Sequence, residues 1–385
     1  MNPDIALTQF RSQFRNPAKL IHLNNAGQTP LCLPAVNALN LWARRLSEEA
    51  CFALTDFLSE LARSRQDLAV FLGCKNEELA FFPGPSGAIS QVAFGLDYKA
   101  GDEILVWDQE YPSLFYAWSE VAKRRGLKLI VAPSNPDLSV RVETLARLVT
   151  PRTRVIACSW VQYRTGALVD LEELVALAKP RGIFTCVDVI QGVGCRPFDF
   201  AQSGIDAVCG GSHKWLLSPH GTGYLCLRKE HLEKLQPSSV GCLTFGLPDD
   251  LSDPSAVMKS TSLRFEPGSM SYLNIFALAE AVRLIGRTGV EILAHESWRL
   301  AKRLAEGLSD TGYKVHSRHE GLDAGSFVSF APGPQAPLRT EAEIKDRLSA
   351  ERISFALRPP GIRLSPHAFN TDAEIETTLA ALSRP

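Results

Sequence analysis

Short apolar runs alternate with amphipathic stretches through the first two thirds of the chain. The runs Glu103–Trp107, Lys128–Ala132, Arg154–Trp160, Ile183–Ile190, Ala207–Cys209 and Gly223–Leu227 are largely continuous in apolar character rather than alternating, which predicts strands buried on both faces. Pro112–Arg125 and Leu171–Lys179 between them read as helices. Strands separated by helices predict an α/β fold, a mainly parallel sheet covered on both sides. From about Ser262 the pattern changes. Tyr272–Arg287 and Val290–Asp310 carry long helical periodicity, followed by a Phe327–Phe330 strand, an Ala342–Ala350 helix and a closing strand and helix. A second, smaller α+β layer is expected there.

The chain has 385 residues, 45% of them hydrophobic and 22% charged, enough for a large core and for more than one compact domain. Lys plus Arg number 41 against 42 Asp plus Glu, a formal net charge of −1. No basic run or stripe points to nucleic acid or a membrane surface, so a small molecule is the expected partner. The start, Met1-Asn2-Pro3-Asp4, has neither a basic nor an apolar leader region, and no stretch has the roughly 20 apolar residues of a membrane span. A cytoplasmic location is the expectation. The nine cysteines form no CxxC pair and no His-Cys cluster at ligand spacing, so no metal is expected, and Cys158, Cys186, Cys209 and Cys226 read as small buried hydrophobes.

The chemistry gathers at strand ends. Lys214, in Ser212-His213-Lys214, lies 26 residues after Asp188 and just before Gly221-Thr222-Gly223. An amine, a carboxylate and small hydroxyl-bearing neighbours are what pyridoxal phosphate needs. The amine takes the aldehyde as a Schiff base, the carboxylate keeps the ring nitrogen protonated, and hydroxyls and backbone amides hold the phosphate. An acidic residue inside Thr185-Cys186-Val187-Asp188-Val189-Ile190 would otherwise be costly to bury. Gly84-Pro85-Ser86-Gly87-Ala88 follows an apolar run and opens a helix, so its amides face an anion, although Pro85 removes one N–H.

With these residues in place, the chain resembles the fold-type I pyridoxal phosphate enzymes of the class V aminotransferase and cysteine desulfurase superfamily. The resemblance runs from Leu23-Asn24-Asn25-Ala26-Gly27 to Ile362-Arg363-Leu364-Ser365-Pro366-His367-Ala368-Phe369-Asn370-Thr371. Its most specific piece is Asp188-x-x-Gln191 combined with Ser212-His213-Lys214. It implies a large cofactor-binding domain over 23–258 with a mainly parallel, seven-stranded type of sheet, a smaller C-terminal α+β domain over 259–385, and an N-terminal segment, 1–22, packed on the small domain.

The resemblance also implies roles. Lys214 would hold pyridoxal 5′-phosphate and move the Cα proton, Asp188 would pair with the ring nitrogen, and Gln191 would bond the ring's 3′-oxygen. Ser86, Gly87, Ser212 and His213 would form the phosphate site, and Ser269 would reach the phosphate of a partner subunit in a homodimer. Tyr111 would stack on the ring. Tyr163 or its neighbour Gln162 would stand near the cofactor oxygen. Arg363, with Arg358 as competitor, would hold the α-carboxylate of an amino acid substrate, with Asn25 and Ala26 supplying backbone beside it. His367 is explained about as well by packing as by function.

Departures from the family narrow the reaction. Cysteine desulfurases carry a nucleophilic cysteine on a mobile loop shortly before the carboxylate-binding arginine. Here Leu357-Arg358-Pro359-Pro360-Gly361-Ile362-Arg363 contains none, and no cysteine follows Cys242. This argues against a persulfide-transferring desulfurase and towards the branch that includes isopenicillin N epimerase-like proteins and carbon–sulfur lyases. The expected reaction proceeds through an external aldimine and a Cα carbanion on an α-amino acid, with β-elimination ahead of epimerisation and transamination. Two readings from other classes compete. A dinucleotide-binding oxidoreductase claims only Gly192-Val193-Gly194 and leaves Lys214 unexplained; a catalytically inactive binding homologue rests on the Pro85 and Gly87 departures.

Overall fold

Seven strands build the central sheet: β1 (Leu79–Phe82), β2 (Glu103–Trp107), β3 (Lys128–Ala132), β4 (Thr153–Ser159), β5 (Phe184–Asp188), β6 (Ala207–Gly211) and β7 (Gly223–Leu227). The structure is a computed structural model and describes residues 2–15, 19–246, 255–319 and 325–384. The spatial order is β1-β7-β6-β5-β4-β2-β3. β2 to β6 run parallel, and β7 is antiparallel to both β6 and β1. Every residue of β1, β2, β5, β6 and β7 is buried, which is why these runs read as continuously apolar. β3 is an edge strand and keeps Lys128 and Val131 exposed.

One face of the sheet is covered by the helices Pro85–Gly95 and Pro112–Arg125, whose Ile89, Val92, Trp118 and Val121 pack on Ile104, Val106 and Val155. The other face meets Leu68, Leu72, Leu174 and Leu177. The expected Ile183–Ile190 strand stops at Asp188 because its Oδ1 accepts the Ile190 N–H at 2.9 Å and turns the chain.

The second sheet is antiparallel, formed by β8 (Lys314–Val315), β9 (Val328–Ala331), β10 (Ala356–Arg358) and β11 (Gly361–Leu364) in the order β10-β11-β9-β8. It shares a separate core with the helices Val290–Asp310, Glu341–Ala350 and Asp372–Leu382. The helix Tyr272–Thr288, which its sequence position groups with this smaller unit, instead buries Ile275, Leu278, Val282 and Ile285 in the core beneath the large sheet. It packs there on the helices Leu33–Glu48 and Leu54–Leu72.

The N-terminal helix Pro3–Arg11 is pinned by Arg11, which donates to Glu296 at 2.7 Å and to the carbonyls of Ala368 and Asn370. The chain then adds Ile21–His22 in parallel to Ile353–Ser354 and crosses to the large sheet. Asn25 Nδ2 donates to the Ser365 carbonyl, Ala26 N–H to Ser365 Oγ, and Thr29 N–H to the His213 carbonyl. One short segment thus ties β11, which carries Arg363, to the turn that carries Lys214. No helix among the described residues is long and apolar enough to cross a membrane.

Candidate active site

The C-terminal ends of β1, β2, β4, β5 and β6 converge on one cavity of about 280 Å3, the position that parallel sheets favour for ligands. A larger depression, of about 520 Å3, lies near the opposite ends of the strands around Thr185, Asp206 and His231, without a buried amine.

Lys214 leaves β6 in a tight turn closed by Leu217 N–H to the Lys214 carbonyl and Ser218 N–H to the Ser212 carbonyl. The lysine is 8% exposed and its Nζ stands 5.5 Å from the centre of the Tyr111 ring. No described carboxylate lies within ion-pair distance of it. Burial, with the Arg363 and then the Arg358 guanidinium adding to it and Asp188 opposing, brings the amine down to about 7. Asp188 ends β5 fully enclosed, and desolvation lifts its carboxyl to about 6 against the Ile190 amide and the Lys214 charge. At neutral pH the pair therefore supplies an amine that is partly unprotonated and a carboxylate that is mostly ionised.

Arg363 projects from β11 and is 1% exposed. Its Nη1 donates to the Tyr163 carbonyl at 2.6 Å, while its Nε is buried without a partner. Burial and the nearby Arg358 lower it to about 9. Arg358 is paired with Gly361 and Arg363 with Ala356 in the β10–β11 hairpin, so the two arginines are diagonal neighbours on one face, and both line the cavity. Tyr111 and Tyr163 meet edge to face, with ring centres 5.1 Å apart. Ser86 Oγ donates to Ser113 Oγ at 2.9 Å, and His213 stacks on His220 at 4.1 Å.

Of the residues expected from sequence, the cavity brings together Ala26, Ser86, Tyr111, Tyr163, Asp188, Gln191, His213, Lys214 and Arg363. Gln191 comes with most of its amide engaged: its Nε2 donates to the Ala26 carbonyl at 2.9 Å and its Oε1 accepts from Trp215 at 3.0 Å. Four expected residues do not line the cavity. Ser212 is fully buried and turns its hydroxyl to the Pro219 carbonyl. Asn25 points its amide at Ser365. The Gly87 amide folds back on the Gly84 carbonyl. Ser269 is exposed beyond the 262–265 turn. His367 is stacked among Phe10, Trp215 and Phe369, a packing role. Tyr163, not Gln162, reaches the cavity.

Sequence reasoning missed Ser113 and His220, which line the cavity, and Glu110, which precedes Tyr111 in the chain. The only textual signal for Ser113 is that Tyr111-Pro112-Ser113 repeats the Pro-Ser opening of Gly84-Pro85-Ser86. Glu110 is 5% exposed. Its carboxyl accepts the Ser159 N–H at 3.0 Å, contacts Ser159 Oγ at 2.5 Å and accepts Gln162 Nε2 at 2.8 Å. It thereby fastens the loop bearing Tyr111 to the end of β4 and the turn bearing Tyr163.

This donor set fits pyridoxal phosphate. Its described residues offer an amine outside ion-pair distance of a carboxylate, a buried carboxylate, an aromatic face, hydroxyls, imidazoles and a guanidinium whose Nε lacks a partner. No described cluster of three or more His, Cys, Asp or Glu side chains could hold a metal.

A sequence model of the family "Aminotransferase class-V" matches residues 21–333. The chain is 30% identical to an isopenicillin N epimerase from Amycolatopsis lactamdurans, with 98% of each chain covered. It is 25% identical to a probable cysteine desulfurase from Pyrococcus abyssi, with 98% of this chain and 95% of that one covered. Among solved structures it is similar to a C-DES variant with glycine covalently linked to its PLP cofactor, with a TM-score of 0.89 at 25% identity over 97% of this chain and 98% of that one.

The environment of Glu110 generates a pH prediction. Burial is the largest influence on its carboxyl and lifts it from the ordinary 4.5 to about 7, with Ser159 and Gln162 opposing and Asp188 adding. The folded state therefore holds this proton more tightly than the unfolded state, and stability falls as pH rises from about 4.5 to about 7. Full ionisation costs on the order of 3 kcal/mol. Denaturant unfolding of the cofactor-free protein should show this loss, and Glu110→Gln should reduce it, leaving the part below about 6 that the raised Asp188 carboxyl contributes. An unchanged slope in the variant would show that Glu110 does not titrate there.

Proposed function

We propose that this chain, which belongs to the class-V aminotransferase family and whose cofactor is pyridoxal 5′-phosphate, acts on an α-amino acid and expels its β-substituent in a β-elimination of the carbon–sulfur lyase type. The observation that carries the reading is one cavity that holds both a near-neutral lysine amine and a guanidinium with an unpartnered donor. When bound, the cofactor supplies an aldehyde that condenses with amines and a protonated ring that accepts the electron pair released at the substrate Cα.

The protein's part follows from its side chains. Arg363 receives the α-carboxylate, its plane fixed by the bond from Nη1 to the Tyr163 carbonyl, and a planar guanidinium suits that bidentate task. Fixing the carboxylate orients the Cα–H bond, and orientation selects which bond breaks. Lys214 takes the Cα proton as its unprotonated amine, which a value of about 7 makes available. Asp188 keeps a proton on the ring nitrogen, and its ionised form is the one needed above about 6. Tyr111 offers its ring as a platform.

Elimination needs one base on one face of the substrate, and Lys214 is that base. β10 and β11 are joined by only the two residues Pro359-Pro360, and no cysteine is among the described residues lining the cavity. Both support a reaction other than persulfide transfer. Epimerisation is the second reading, favoured by the isopenicillin N epimerase relatives and by two tyrosines at the cavity wall that offer an acid for the other face. A homodimer is proposed as well: Ser269 is exposed and free to serve a partner's site, and Phe52, Leu54 and Leu58 expose apolar surface at 90%, 55% and 54%.

Incubation with cysteine and S-substituted cysteines should release keto acid, ammonia and a sulfur product, and should shift the visible absorbance. Inversion at Cα without keto acid would replace elimination by epimerisation, and a cofactor-free, colourless protein would favour the inactive homologue. Arg363→Ala should raise KM for the amino acid roughly 100-fold while cofactor affinity stays within about threefold; equal losses in both would remove it as the carboxylate clamp. Sedimentation should give a dimer, and a fully active monomer would refute the role of Ser269.

A further inference from the structure

Two helices open at the same end of the cavity with the same two residues. Pro85-Ser86 begins the Pro85–Gly95 helix and Pro112-Ser113 begins the Pro112–Arg125 helix. The two helices pack side by side on one face of the sheet. In each, proline removes the first amide donor, and the amide after the serine folds back: Gly87 N–H to the Gly84 carbonyl at 3.2 Å, Leu114 N–H to the Tyr111 carbonyl at 2.9 Å. What each helix start has left to offer is its serine. The serines meet, Ser86 Oγ donating to Ser113 Oγ at 2.9 Å, so the Ser113 hydroxyl proton is free to turn outward into the cavity that both residues line.

Two imidazoles line the same cavity. The Gly84–Ser86 loop lies directly on the segment leading to His213. A Cβ at Gly223 would come within 2.4 Å of the Gly84 carbonyl carbon, and one at Gly211 within 3.0 Å of the Pro85 ring. Glycine at both positions permits that approach. His213 follows Gly211 by two residues and carries His220 stacked on it at 4.1 Å, and both line the cavity. Arg358 and Arg363 reach the cavity from the β10–β11 hairpin of the other sheet.

We infer that Ser113 and His220 complete the phosphate subsite of the cofactor, replacing the amide donors that Pro85 and the folded-back Gly87 do not offer. Ser113 ends a relay of two hydroxyls, each at a helix N-terminus that favours an anion. His220 backs His213 and presents a second ring N–H to the phosphate. The inference rests on the reading of this cavity as the pyridoxal phosphate site, and its test separates the two.

The cofactor-free protein would be titrated with pyridoxal 5′-phosphate and, in parallel, with pyridoxal, which lacks the phosphate. Both bind the same lysine, and binding is read from visible absorbance. Ser113→Ala and His220→Ala should each weaken pyridoxal phosphate binding by about tenfold, the loss expected for one hydrogen bond to a charged group, and should leave pyridoxal binding within about twofold. Inorganic phosphate should compete with pyridoxal phosphate less effectively in the variants than in the wild-type protein. Parallel loss for both ligands would mean that the residues only support the fold, and no loss for either would mean that they do not touch the phosphate; each result overturns the inference. Wild-type protein that forms no absorbing adduct with either ligand would overturn the cofactor site itself.

Discussion

The cavity at the C-terminal ends of the strands is electrostatically unbalanced. Lys214, Arg358 and Arg363 bring three basic groups to it, while Asp188 is the only acid among the described residues that line it. Desolvating an amine or a guanidinium without a partner is expensive, and the protein limits the cost by lowering the affinity of Lys214 and Arg363 for their protons. Anions would relieve the remaining imbalance. A phosphate beside the serines and histidines and a carboxylate beside the arginines are complementary to this arrangement in charge and in donor geometry.

Holding such groups together demands a stiff frame, and the fold supplies it from distant parts of the chain. Five strand ends fix Ser86, Tyr111, Tyr163, Asp188 and Lys214 on the large sheet, whereas Arg363 belongs to the small one. The link between the sheets is the crossing at Asn25–Thr29, bonded to Ser365 on one side and to Gln191 and His213 on the other. Glu110 is a second tie within the large sheet, joining the two tyrosine loops at the cost of a buried, perturbed carboxyl. Perturbed groups of this kind gather where a fold gives up stability for function.

Much of this was legible in the sequence because the chemistry sits within a few residues of apolar runs. Asp188 is the last residue of β5, and Lys214 follows β6 by three residues, so run ends located them. The mainly parallel sheet was legible for the same reason. What escaped depends on pairings between distant parts of the chain. Ser113 meets Ser86 across 27 positions, and Glu110 meets Ser159 across 49; no local pattern encodes either. Ser212 carries the expected hydroxyl, yet the turn around Lys214 directs it to Pro219. The Tyr272–Thr288 helix has the periodicity of any amphipathic helix, and only its buried face reveals which core it joins.

The central claim is that Lys214 is the amine that holds the cofactor. The direct measurement is borohydride reduction of the cofactor-loaded protein, followed by proteolysis and mass mapping of the modified peptide. The account predicts a single phosphopyridoxyl group on the peptide containing Lys214, with loss of the visible band on reduction. Stoichiometric labelling of any other lysine, or a loaded protein that reduction leaves unlabelled, would contradict it.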